Sequence, residues 1–280
     1  MRLLVALVCG MAWWPSSVAA QATYNGDIAV LGANVLVGGL TSAVGAWLSG
    51  APVVEALGKG VAGGSVQYLG KRLVTVDAPG AGLAGRLVAA AGASMVRNGV
   101  AGRDLLAEFV FPLGPVTLYW KTVPDSGSVR ARVHLGRTIF LARMLAKDDL
   151  ELDWSETLSS GAPVLHAPGE VIEGEDGVGI GGLELWGTVA LSDPMLLPMD
   201  DSGRMLAHER VHVLQDDFLN VVWGDPLDDW LLERVPGGGF VGRYVDLGIA
   251  YIGAAAAMTA AVPYEERPWE REAAYLETGW

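Results

Sequence analysis

Along residues 23 to 103, apolar residues recur at helical spacing with small residues between them, and the pattern is interrupted at Gly50-Ala-Pro52, by the glycines from Gly58 to Gly64, and at Ala78-Pro-Gly80. This predicts helices over about 28–49, 52–72 and 82–98. The segments GLTSAVGAWLSG and GKGVAGGSVQYLGKRL have a related glycine spacing, as two helices meeting over small residues would. A pore or membrane-inserting segment is the other reading of the same glycines.

The period changes near Asp104. From Glu108 to about Asp193 the chain alternates and is rich in β-branched residues, with turn residues between runs. Phe109–Phe111 and Val116–Trp120 flank Pro112-Leu-Gly-Pro115 as two strands about a turn. Val129, Ala131, Val133 and Leu135 alternate with Arg130, Arg132 and His134, which predicts the first set in a core and the second in water. Further strands are expected near Val164–His166, Glu170–Ile172 and Leu183–Leu191, joined by the turn-rich EGEDGVGIGG. An antiparallel sheet or small barrel follows from these.

Helical spacing returns after Pro198. Asp200, Asp201 and Ser202 are suited to start a helix over Arg204 to about Val222. A second is expected from Pro226 to Arg234, ending before Pro236-Gly-Gly-Gly239, then an Ala-rich helix from about Val241 to Ala261, then one from about Glu266 to Glu277. The fold class is therefore α+β: a Gly/Ala-rich helical region (23–103), an antiparallel β region (104–195) and a helical region (196–280).

Composition narrows the classes. Charged residues are 18% and hydrophobic ones 51% of 280 residues, which excludes an intrinsically disordered chain. A net charge of −13, from 32 acidic and 19 basic residues, argues against a nucleic-acid partner. Met1-Arg2, the apolar run Leu3–Trp14 and the small-residue exit Pro15–Ala22 read as a secretory signal peptide over 1–22, so a secreted, periplasmic or envelope location is expected. Cys9, the one cysteine, lies inside that segment, leaving no disulfide in the mature chain. Residues 28–54 and 247–263 are near the length that spans a bilayer. Neither is flanked by Lys/Arg clusters, which favours buried helices, with membrane association through them as the alternative.

Two of the four histidines stand in His208-Glu209-Arg210-Val211-His212, inside a predicted helix. Residues four apart share one helix face, so both imidazoles can hold a single Zn2+, and Glu209, adjacent to the first, can reach a bound water as a general base. No third histidine follows closely; Pro263-Tyr-Glu-Glu-Arg-Pro-Trp-Glu270-Arg-Glu-Ala-Ala274-Tyr does. From Ala207 onward the chain resembles the zincin metallopeptidases of the gluzincin type. That resemblance implies a glutamate as third ligand in an ExxA context, which Glu270 with Ala273 fits, ahead of Glu272 and Glu266. Ala274 stands where some members carry Asp, which removes a partner for the ligands. The implied chemistry is hydrolysis of a peptide or protein substrate by zinc-activated water, with Glu209 as base.

Tyr264, Tyr275 and Arg271 are candidate oxyanion donors by their nearness to Glu270. Asp216 or Asp217 is a candidate acceptor for the outer N–H of a ligating histidine, and Gln215 lies near the same face. His134 reads as an exposed strand residue, and His166, beside a Pro-Gly turn, has no partner at recognisable spacing. The glycine clusters lack the Lys-Ser/Thr ending of a phosphate loop. Two functions are expected to compete: an exported zinc peptidase, and a non-catalytic envelope module with a vestigial or metal-binding-only histidine helix. Nothing in the sequence indicates an oligomeric state.

Overall fold

In the computed structural model, residues 26–122, 128–146, 149–173, 179–193, 195–196, 202–248 and 267–278 are described. Three helices come first: α1 (Asp27–Ser49), α2 (Val53–Val74) and α3 (Ala81–Val100). Their contacts explain the glycines. A Cβ on Gly63 would lie 2.7 Å from Val96 Cγ2, and one on Gly70 would lie 2.6 Å from Ala89 Cβ, so α2 approaches α3 closer than side chains allow. The α1–α2 seam is built likewise from Gly38, Gly60 and Gly64.

The bundle is apolar outward and small or polar inward along α1. Asn34, Gly38, Gly39, Thr41, Ser42, Gly45 and Ala46 are buried, while Leu36, Leu40, Val44 and Trp47, one stripe at helical spacing, are exposed. This helix is long and apolar enough to cross a membrane; a core helix or a signal sequence near an N-terminus passes the same test.

The middle of the chain forms two mixed four-stranded sheets and a two-stranded ribbon, without barrel closure among the described residues. The first sheet has β1 (Glu108–Leu113), β2 (Val116–Lys121), β3 (Val129–His134) and β10 (Val245–Asp246), in that order. The second has the order β4 (Glu151–Leu152), β5 (Val164–Ala167), β9 (Thr188–Ser192), β8 (Gly182–Leu185); β6 (Ile172–Glu173) pairs with β7 (Gly179–Ile180). Neither large sheet is purely antiparallel: β3 and β10 run parallel, as do β5 and β9, because each pair is joined by a long crossover.

Two helices interrupt the region expected to be all strand. In α4 (Leu135–Leu145), His134 Nδ1 accepts from the Arg137 amide; in α5 (Trp154–Ser160), Asp153 accepts from the Glu156 amide at 2.9 Å. The facing of β3 is the reverse of that expected. Arg132 and His134 are 0% and 2% exposed, whereas Val129 and Val133 are 68% and 42% exposed. The inner face of this sheet packs on an ionic layer: Arg132 lies 3.0 Å from Asp229 Oδ1, and the Tyr119 hydroxyl donates to Asp225 at 2.6 Å. Arg97, Arg130 and Arg132 all stand over the Tyr119 ring.

The last region holds α6 (Ser202–Leu219), continued by a π-helical turn (Asn220–Gly224), then α7 (Asp225–Leu232), the short α8 (Gly238–Val241), and α9 (Pro268–Glu277). The Ala-rich helix expected from Val241 to Ala261 is not continuous. Gly248 has a positive φ of 69°, Val245 and Asp246 pair with Val133 and His134, and Asp228 accepts from the Leu247 and Gly248 amides. Residues 249–266 lie outside the described residues, and with them most of the 247–263 stretch.

α6 is the hub of packing. Val211 and Leu214 share a core with Val30, Tyr68, Val74 and Ala89 of the bundle and with Ala273 and Leu276 of α9. Phe218 and Val221 pack with Ala93 and Val96 of α3 and with Val110 and Tyr119 of the first sheet; Val213 packs with Val164, Val189 and Leu191 of the second.

Candidate metal centre

His208 and His212 lie one turn apart on α6, whose apolar positions Val211, Leu214 and Phe218 hold it in the core and leave both imidazoles half-buried beneath α9. Ala273 and Leu276, both 0% exposed, seat α9 on that core and bring Glu270, in its first turn, over the two rings. The Nε2 atoms of His208 and His212 are 3.0 Å apart, and Glu270 Oε2 lies 3.1 Å from that of His212 and 3.4 Å from that of His208. These three residues can hold a metal ion. Around a tetrahedral zinc, whose bonds to nitrogen and oxygen are about 2.0–2.2 Å, neighbouring ligand atoms are separated by about 3.3–3.5 Å. The observed separations need to open only slightly.

The outer nitrogens are occupied. His208 Nδ1 meets Glu277 Oε2 at 2.6 Å, and His212 Nδ1 meets Gln215 Oε1 at 2.7 Å. With acceptors on both Nδ1 atoms, Nε2 is the nitrogen each ring turns inward, and in the neutral ring that atom carries the lone pair a ligating histidine needs. Burial lowers the affinity of these rings for protons, but hydrogen bonds to Glu270 and Glu277 outweigh it and raise His208 to about 10; hydrogen bonding and charge from Glu270 raise His212 as well. The site favours positive charge.

Glu209 is 4% exposed and accepts a hydrogen bond from the Glu184 backbone amide of β8. A Cβ on Gly182 would lie 3.1 Å from Glu209 Cγ, so a glycine lets this strand approach the residue closely. Burial raises the Glu209 pKa, while the charges of His212 and His208 hold it down. Glu184, beside it, is raised further by burial and by Asp216.

The chain matches no family model, no curated protein and no solved structure.

The structure brings together His208, Glu209, His212 and Glu270, and separates several other expected residues. Glu272 is not a ligand: its carboxylate receives Lys71 at 2.7 Å, Asn34 at 2.6 Å and Gln215 at 2.8 Å. Asp216 and Asp217 do not support the histidines. Their carboxylates are taken by buried arginines: Arg137 sits 2.8 Å from Asp216 and 2.9 Å from Asp217, and Arg86 Nε lies 2.8 Å from Asp217. The Tyr275 hydroxyl donates to Asp27 at 3.0 Å, at the end of α1, which takes it away from an oxyanion role. Arg271 is half-buried on α9; Tyr264 and Glu266 lie outside the described residues.

His134 is a buried cap, not an exposed strand residue. Its Nδ1 accepts from the Arg137 amide at 3.1 Å, and burial together with the Arg137 charge lowers its pKa to about 4. His166 does have a partner, Asp153 at 3.3 Å. Sequence reasoning missed Glu277, although its place seven residues after Glu270 is two helical turns along the same face. Lys71 and Asn34 carry no sequence signal, because only the tertiary fold puts them behind α9.

Proposed function

We propose that this chain is an exported zinc-dependent peptidase of gluzincin-like type, with His208, His212 and Glu270 as ligands and Glu209 as general base. The observation that carries the reading is the convergence of two Nε2 atoms and one carboxylate oxygen at 3.0–3.4 Å, with both Nδ1 atoms already held by acceptors. Two imidazoles and a carboxylate are the donor set of catalytic zinc sites that leave one position open. When bound, zinc supplies Lewis acidity toward a carbonyl oxygen and toward water.

Glu209 then has a defined task. Its carboxylate takes a proton from the attacking water and returns it to the leaving amine, so no net proton is consumed. Burial raises its proton affinity, which suits a base working near neutral pH. The substrate class is a peptide or protein.

The outward apolar stripe of α1 supports a further element of this reading: the exported protein associates with a membrane through Leu36, Leu40, Val44 and Trp47. At about 1.5 Å per residue, the 23 residues of α1 match a hydrocarbon thickness of about 30 Å. Carbonate washing of membranes tests it; release of the protein into the wash counts against it.

The peptidase reading is tested by metal analysis of purified protein and by assay of Glu209→Gln. One zinc per chain is expected in both wild type and variant, with hydrolysis of a peptide library lost in the variant. Absence of stoichiometric zinc from the wild type would overturn the reading and favour the non-catalytic envelope module.

A further inference from the structure

We propose that a buried relay, Lys71–Glu272–Gln215, sets which nitrogen His212 offers to the metal, so that two residues from opposite ends of the chain act as positioning residues for the site. The assignment rests on the metal-site reading above. It comes from the polarity of the groups, one after another.

Lys71 is 6% exposed and its ammonium can only donate. It lies 2.9 Å from Asn34 Oδ1 and 2.7 Å from Glu272 Oε2. With its oxygen facing a cation, the Asn34 amide must direct its nitrogen at Glu272 Oε1, 2.6 Å away, and at the Val30 carbonyl, 2.9 Å away. Glu272 thus takes a cation and an amide N–H, and acts as an acceptor.

The same logic fixes Gln215. Its amide nitrogen is 2.8 Å from Glu272 Oε2 and 3.2 Å from the Trp269 carbonyl, two acceptors, so both of its hydrogens are used there. Only Oε1 remains to face His212 Nδ1 at 2.7 Å, and an oxygen acceptor requires a hydrogen on Nδ1. The lone pair of His212 is then on Nε2, the atom that faces His208 and Glu270. On His208, Glu277 does the same directly. A rotated Gln215 amide would point N–H at Nδ1 and put the hydrogen of neutral His212 on Nε2, where the metal belongs. Lys71 and Asn34 come from the helical bundle, so the bundle contributes to the polarity of the site.

The test uses full-length protein and zinc alone, with affinity read by competition against a chromophoric chelator. Gln215→Met removes the acceptor and leaves the Lys71–Glu272 pair in place. The double variant Lys71→Met/Glu272→Met replaces the ion pair with apolar side chains of similar size, a change that buried pairs often tolerate in stability. Each is expected to lower zinc affinity about 10- to 100-fold with a cooperative unfolding transition retained. The triple variant is expected to lose little more than either, because both act through one amide. In nitrogen-15 spectra of the zinc-loaded wild type, an Nδ1–H signal of His212 is expected, and it should weaken in both variants. Wild-type affinity in the double variant, or full additivity in the triple, overturns the relay alone. A wild type that binds no zinc removes both the relay and the reading beneath it.

Discussion

Arg86 on α3 and Asp217 on α6 face each other at 2.8 Å, Nε to Oδ2, with side chains 1% and 7% exposed. The pair ties the helical bundle to the helix that carries both histidines. Arg137 shares Asp217 and also holds Asp216, so two arginines and two aspartates form one buried ionic cluster on α6. Removing one partner of a buried pair leaves an uncompensated charge, at a cost of about 3–5 kcal/mol. Arg86→Leu is therefore expected to lower the urea midpoint sharply. A chain lacking residues 26–100 is expected to show no cooperative transition, since half of the core around Val211 and Leu214 would be gone. A stable, cooperative truncated chain would show the bundle to be a detachable prodomain.

Metal binding to the folded state alone must raise stability. With free zinc at a hundred times its dissociation constant, the gain is about 2.7 kcal/mol. Thermal unfolding with zinc and with a chelator is expected to separate by several degrees for the wild type, and to coincide for His212→Ala and Glu270→Gln. Coincident wild-type curves would count against the site.

Two buried groups in the first sheet give stability opposite dependences on pH. His134 titrates at about 4 in the fold, because burial and Arg137 disfavour its charge, against about 6.5 unfolded. The unfolded chain binds the extra proton between these values, so stability is lost as pH falls from about 6.5 to 4, by about 3 kcal/mol. Asp246 titrates at about 6, raised by burial and by its hydrogen bond with Asp228, against about 3.9 unfolded. Here the fold binds the extra proton, so stability is lost as pH rises from about 4 to 6, again by about 3 kcal/mol. Asp246→Asn removes the second effect. Relative to wild type, it is expected to gain stability steadily between pH 4 and 6 and to hold that gain above; a pH-independent difference would rule this out.

The residues that were legible in the sequence are those whose chemistry and spacing are local. HExxH lies within one helix, so spacing alone put both histidines on one face, and Glu270 with Ala273 was found through the resemblance to gluzincins, whose ExxA pattern is equally local. The three bundle helices were legible for the same reason, within a few residues of their observed ends. What failed was any inference that needed to know what covers a face. The alternation in β3 was real, but its core side was assigned by hydrophobicity, whereas the partners behind it are Asp225, Asp229 and the Tyr119 ring, which draw Arg132 inward. Asp216 and Asp217 were read as supports for His212 because they are close in sequence; Arg86 and Arg137, which only the tertiary fold brings against α6, take both carboxylates instead.

The glycines of the helical bundle have two physical origins, and substitutions distinguish them. Gly58 lies on the exposed side of α2 with nothing within 4 Å of a Cβ, so its glycine only raises the entropy of the unfolded chain. Gly58→Ala is expected to stabilise the protein by about 0.5–1 kcal/mol. At Gly64, a Cβ would lie 2.8 Å from the Asn34 carbonyl carbon and 2.9 Å from Val35 Cα, both backbone atoms of α1 that no rotamer can move. Gly64→Ala must push the two helices apart, at a cost of about 1–3 kcal/mol or more. The displaced residue is Asn34, which donates to Glu272 behind the metal centre. Gly64→Ala is therefore expected to weaken zinc binding as well as the fold, whereas Gly58→Ala leaves zinc affinity unchanged. Equal effects of the two substitutions on unfolding midpoint and zinc affinity would show that the α1–α2 seam neither limits packing nor positions the site.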